Sequence, residues 1–162
     1  MSNRSAIGLI VLLSLSFYGC GFQMQGAFSV PERMERTYIA SEDQYSLFYR
    51  ELRRSLQANG MQLAASPAEA TAVLSIHTDK TDQRVLSVSA RNVPTEYEVY
   101  YSIEYSVDSG EENLMKRQFI NLTRDYTYDE TLVLGKAKEE ALLREAIVDD
   151  LVRIVLKQLG TM

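Results

Sequence analysis

The stretch from Thr95 to Val107 constrains the fold most. Tyr97, Val99, Tyr101, Ile103, Tyr105 and Val107 alternate without a break against Glu96, Glu98, Tyr100, Ser102, Glu104 and Ser106. A period of two places successive side chains on opposite faces, so this is an antiparallel strand with one face buried and the other wet. The tyrosines of the apolar face fit a sheet lying under helices, with their hydroxyls near the rim. Asp108-Ser-Gly-Glu111 supplies hairpin turn chemistry, and the segment from Leu114 to Tyr126 returns as the partner strand.

A strand buried on one face needs a cover, and the last part of the chain provides it. At 3.6 residues per turn, Leu143, Ile147, Val148, Leu151, Val152, Ile154, Val155 and Leu159 fill about half a helix circumference. Arg144, Glu145, Asp149, Asp150, Arg153 and Lys157 lie opposite. Leu142 and Leu156 fall on the polar side, either as a second contact surface or as ordinary exposed leucines. A second amphipathic helix is expected to start at a cap in Ser41-Glu-Asp43 and to run to about Ala58, burying Tyr45, Phe48, Tyr49, Leu52 and Leu56. Asn59-Gly60 then ends it.

Thr37 to Ala40 reads as a first strand and Met61 to Ala64 as a short one. Ser66 to Thr71 is a linker or one helical turn. Ala72 to Asp79 and Arg84 to Ala90 both alternate, with Leu86, Val88 and Ala90 on one face, and the polar Asp79 to Gln83 reads as a turn between two strands. The expected fold class is α+β: a two-layer sandwich with a mostly antiparallel or mixed sheet of about four strands and two helices packed on one face.

The start of the chain is of a different kind. Arg4 is followed by a short apolar run from Ile7 and then by Gly19-Cys20, with the only cysteine of the sequence. A charged n-region, a short h-region and a small residue at the cut describe an export signal, and the run is too short to cross a bilayer. Leu-Ser-Phe-Tyr-Gly-Cys20 resembles the bacterial lipobox, although Phe17 and Tyr18 replace the usual aliphatic and small residues. The resemblance implies cleavage before Cys20, acylation of its thiol and amine, and a permanent membrane tether. Gly21, rather than Asp, after the cysteine implies the outer membrane. The expected organisation is a signal peptide over 1–19, lipidated Cys20 with a tether over 20–36, and a single α+β domain over 37–162.

Charge and side-chain inventory exclude several function classes. Arg4 is the only charge in residues 1–19, so the mature chain carries −6 rather than −5, which disfavours a nucleic-acid partner. A single acylated cysteine leaves no disulfide. One histidine, His77, with no CxxC or HExxH, predicts no metal and no cofactor. His77 reads as an exposed sheet residue without a function. An enzyme is not expected. There is no Gly-x-Ser-x-Gly elbow, and Glu96 with Glu98 is explained as sheet surface.

Several local patterns in fixed order are similar to the LptE family of lipopolysaccharide-assembly lipoproteins. They are Cys20-Gly21-Phe22 followed by Val30-Pro31, Leu52 to Gly60, Thr95-Glu96-Tyr97, Phe119 to Tyr126, and Leu132-Val-Leu-Gly-Lys-Ala-Lys-Glu-Glu140. The resemblance implies a non-catalytic outer-membrane lipoprotein whose domain sits on the periplasmic side as a plug inside a partner β-barrel, LptD. It implies lipopolysaccharide as ligand, with Arg91 and Lys136 matching the family's lipopolysaccharide-binding cations. In isolation Arg91 is a solvated turn residue, and Lys136 gains little from Glu139 or Glu140, because a cation at a helix start opposes the dipole. The alternatives are a lipid-anchored hydrolase or a lipoprotein that carries another amphiphile.

Overall fold

The computed structural model describes residues 31–128 and 133–162, with side chains from residue 137 onward in the second segment. The signal peptide, Cys20, most of the tether and the side chain of Lys136 lie outside the described residues. The chain forms β1 (Arg36–Ala40), α1 (Leu47–Ala58), β2 (Gln62–Leu63), β3 (Ala72–Val88), β4 (Pro94–Ser109), β5 (Glu112–Thr127) and α2 (Val133–Leu159). The sheet has five strands in the order β2-β1-β3-β4-β5. β1 runs parallel to β2 and β3, and the rest is antiparallel. The α+β class is as expected, with five strands in place of about four.

The core joins alternate residues of β4 to the apolar faces of both helices. Val99, Tyr101, Ile103, Tyr105 and Val107 are buried, together with Phe48, Leu52 and Leu56 of α1 and Ile147, Leu151, Val155 and Leu159 of α2. Leu142 is 55% exposed, while Leu156 packs against the core.

Helix α1 starts later than its sequence suggests. Ser41 and Asp43 turn their oxygens onto the amides of Asp43 and Tyr45 instead of capping the helix, the local bonding that makes these residues turn formers. Ser46 is the cap, accepting from the Tyr49 amide at 2.9 Å. Tyr45 therefore precedes the helix and is 88% exposed, not part of its buried face. At the other end Gly60 has φ +87 and donates to Gln57 O, while Met61 donates to Leu56 O. That pair of bonds closes the helix in a Schellman motif.

The largest correction concerns β3. Asp79 to Gln83 is not a turn: these residues pair one by one with Ile103 to Val99 inside a single 17-residue strand. Their polarity reflects exposure on a long ribbon, and cross-strand pairing overrides local turn propensity. A bulge at His77 shifts the register between Ile76 and Thr78, which moves Asp79 onto the helix-facing side. There Asp79 accepts from Tyr101 Oη at 2.6 Å and from the Ser46 hydroxyl. The cap of α1 is thereby tied to the middle of β4.

Burial raises the phenol pKa of both Tyr101 and Tyr105 well above the usual value near 10, and the bond from Tyr101 to Asp79 pushes it further the same way. The unfolded chain releases these protons near pH 10, whereas the folded chain holds them. Unfolding therefore releases protons above that pH, and stability falls as pH rises past about 10. Urea midpoints measured from about pH 8 to 11 will show this loss, with a smaller slope for Tyr101→Phe.

Candidate functional site

The end of the sandwich formed by the β3–β4 connection carries the residues singled out by sequence. Ser89 N donates to Val93 O at 2.8 Å, and Asn92 N donates to Ser89 O at 2.9 Å. Asn92 has φ +60, a left-handed conformation that asparagine tolerates better than most residues. Arg91 sits at the apex of this turn. Its side chain is exposed and makes no hydrogen bond or ion pair to another described residue.

Lys136 lies inside the first turn of α2, not before it. The chain reaches this helix from β5, and Tyr128 N donates to Thr95 O at 2.8 Å next to the start of β4. The backbone thus brings Arg91 and Lys136 to the same end of the sandwich.

Beneath the turn is an aromatic cluster that the periodicity did not reveal as a unit. Tyr97 stacks on Tyr126 at 5.7 Å and meets Tyr128 edge-on at 5.3 Å. Such pairs add about 0.5–1.5 kcal/mol beyond burial. Tyr126 Oη donates to Gln83 at 2.8 Å, linking β5 to β3 across β4. Beside the cluster, Leu86 and Val88 are 48% and 52% exposed. The signal available in sequence was apolar residues at 85, 86 and 88 within an otherwise polar run. A cation at the tip with aromatic and aliphatic side chains below is an amphipathic surface.

Other candidates resolve into structure. His77 Nε2 lies 2.9 Å from Ser106 Oγ. Glu96 accepts from Ser87 at 2.7 Å. Glu98 lies 2.5 Å from Arg84, an ionic contact whose angle does not make a hydrogen bond. Arg144 bonds Glu140 at 2.6 Å and also reaches Thr81, fastening α2 to β3. Among the described residues no three His, Cys, Asp or Glu side chains are grouped to hold a metal ion.

The comparisons with known proteins agree with this architecture. The rare lipoprotein B from Shewanella oneidensis is 24% identical and superimposes with a TM-score of 0.68 over 78% of this chain and 94% of that one. An uncharacterised lipoprotein B from Nitrosomonas europaea, also 24% identical, gives 0.73 over 86% and 90%. These likenesses show a shared fold. The LPS-assembly lipoprotein LptE of Yersinia enterocolitica is 23% identical over 160 residues, covering 98% of this chain and 77% of that protein. The family model LptE, lipopolysaccharide-assembly, matches residues 34–159. Taken with the five-stranded sheet under two helices, that match over most of the chain places this protein in the LptE family of lipopolysaccharide-assembly lipoproteins.

Proposed function

We propose that this protein is a non-catalytic outer-membrane lipoprotein that plugs and supports an LptD-type β-barrel and contacts lipopolysaccharide on its way to the cell surface. The observation that carries the ligand reading is the placement of exposed Arg91 above the tyrosine cluster, at the end where α2 begins with Lys136. Cations are suited to the phosphates of a glycolipid headgroup, with charge-assisted bonds about twice as strong as neutral ones. The partly exposed Tyr97 and Tyr128, backed by buried Tyr126, and the half-exposed aliphatics offer contact for its apolar part. The partner reading comes from family membership: relatives are named for lipopolysaccharide assembly, and a barrel lumen suits a domain with one polar sheet face. Purification of the native lipoprotein from outer membranes, with mass spectrometry of what accompanies it, tests this. An LptD-type barrel is the expected companion, and its absence from stringently washed preparations overturns the plug reading.

In this reading residues 1–19 are removed, Cys20 carries the lipid, residues 20–36 form the tether and 37–162 the domain. Cys20→Ser will leave an unprocessed precursor or a mislocalised protein. Intact mass measurement of the mature N-terminus checks it. Residues 1–19 still attached in wild-type cells with normal lipoprotein processing refute the anchor.

A further inference from the structure

Helix α1 turns a polar row toward the β1 and β2 side of the sheet. Tyr49, Arg53 and Gln57 follow one another at i, i+4 and i+8, so they line one side of the helix. Together with Gln44 and the edge of β1 at Ile39 they border a hollow of about 310 Å³, within the range of about 300–1,000 Å³ usual for small-ligand sites. Its charge is of one sign. Among the described residues that line it, Arg53 alone carries a charge.

The hydrogen-bond donors around this hollow are not used elsewhere in the fold. Tyr49 is 8% exposed, yet its hydroxyl has no hydrogen-bond partner among the described residues, whereas a phenol so far buried ordinarily has one. Of the three arginines of α1, Arg50 donates to Ser46 O at 3.4 Å and Arg54 pairs with Glu51 at 2.5 Å. Arg53 makes neither a hydrogen bond nor an ion pair to a described residue. The carboxamides of Gln44 and Gln57 are likewise unbonded among the described residues. Thr37 O accepts from Ala64 N, and the ladder between β1 and β2 ends there, at Thr37 and Leu63. The Ile39 amide, two residues on and so turned to the same side, adds a donor at the hollow.

We propose that this hollow binds a phosphate group. The chain as a whole is acidic, so the local donors, and not the general field, draw an anion here. A guanidinium, a phenol, a backbone amide and two carboxamides present more N–H and O–H groups than the two oxygens of a carboxylate accept. They suit the three terminal oxygens of a phosphate monoester. That chemistry is shared by free phosphate and by a phosphorylated lipid headgroup. The site is separate from the one at Arg91. From Val73, the partner of Tyr38, to Val88, where β3 ends before the Arg91 turn, the ribbon runs roughly 50 Å at about 3.3 Å per residue.

The test is a titration of the mature chain, in dodecyl maltoside micelles, with inorganic phosphate followed by phosphorus NMR. Binding should saturate. Arg53→Gln and Tyr49→Phe should each raise Kd at least about tenfold, the loss expected for one hydrogen bond to a charged group, with the melting temperature unchanged. Tyr49→Phe keeps the ring in place and removes only the donor. Arg50→Gln, with the same change of charge on the same helix, should alter Kd by less than about twofold, since exposed charges interact weakly at a distance. Phosphatidic acid added to the micelles distinguishes the sources: competition with inorganic phosphate assigns the site to a lipid headgroup, and no competition assigns it to the free ion. Binding that does not saturate, equal Kd in wild type and both variants, or displacement of phosphate by an equal concentration of acetate overturns the proposal.

Discussion

Leu151→Ala will lower the unfolding free energy by about 2–5 kcal/mol, the range for deleting a fully buried leucine side chain. Leu151 is 0% exposed and belongs to the cluster that joins α2 to Tyr101, Ile103 and Tyr105 of β4. Domains of this size are stable by only about 5–15 kcal/mol, so one truncation removes a large share of the total. Leu142→Ala, at a position 55% exposed in the same helix, should change stability by less than about 0.5 kcal/mol. Urea denaturation of both variants separates burial from helix propensity, which the two substitutions share. Equal losses would overturn the packing of α2 on the sheet. A chain that stops before Leu143 should lose cooperative melting altogether, because it exposes the sheet face from Val99 to Val107.

The second large effect is on ligand binding. Reversing both Arg91 and Lys136 to Asp should weaken lipopolysaccharide binding by roughly 10²–10⁴-fold. A hydrogen bond to a charged group contributes about 1.5–3 kcal/mol, two separated sites add approximately, and each 1.4 kcal/mol is tenfold. The fold should survive, since Arg91 is exposed at the apex of a turn and Lys136 lies in the first turn of a 27-residue helix. An acidic residue at that helix start also suits the dipole better than the lysine does. Binding by wild type should weaken with salt, because exposed charges are screened over about 10 Å at 0.1 M. The measurement is lipopolysaccharide affinity of the two purified proteins, with circular dichroism to confirm folding. Equal affinity in two folded proteins removes these residues from the ligand site and leaves the barrel role standing.

Local pattern carried much of the architecture. The alternation from Tyr97 to Val107 defined the central strand and its buried face. The 3.6-residue periodicity of α2 identified its core residues, and Asn59-Gly60 marked the end of α1. Each of these depends on a period or a terminus that neighbouring residues define among themselves. The start of α1 failed for a local reason, the turn bonding of Ser41 and Asp43, whereas the larger failure, in β3, depended on distant partners. The polar run from Asp79 to Gln83 is strand because β4 pairs with it, and Asp79 points at Tyr101 because a bulge at His77 changes the facing of everything beyond.

The same division holds for the candidate site. Arg91 and Lys136 were legible only as matches to a family pattern, since an arginine in a turn and a lysine near a helix start carry no local signature of a ligand. The placement of their backbones at one end of the sandwich follows from β4 and β5 being long enough to return the chain to where β3 left off. The cluster of Tyr97, Tyr126 and Tyr128 arises in the same way, from residues about 30 positions apart brought into register by antiparallel pairing. Side-chain period is local and can be read along the chain, whereas register and strand adjacency are settled by the whole sheet and its helices closing together.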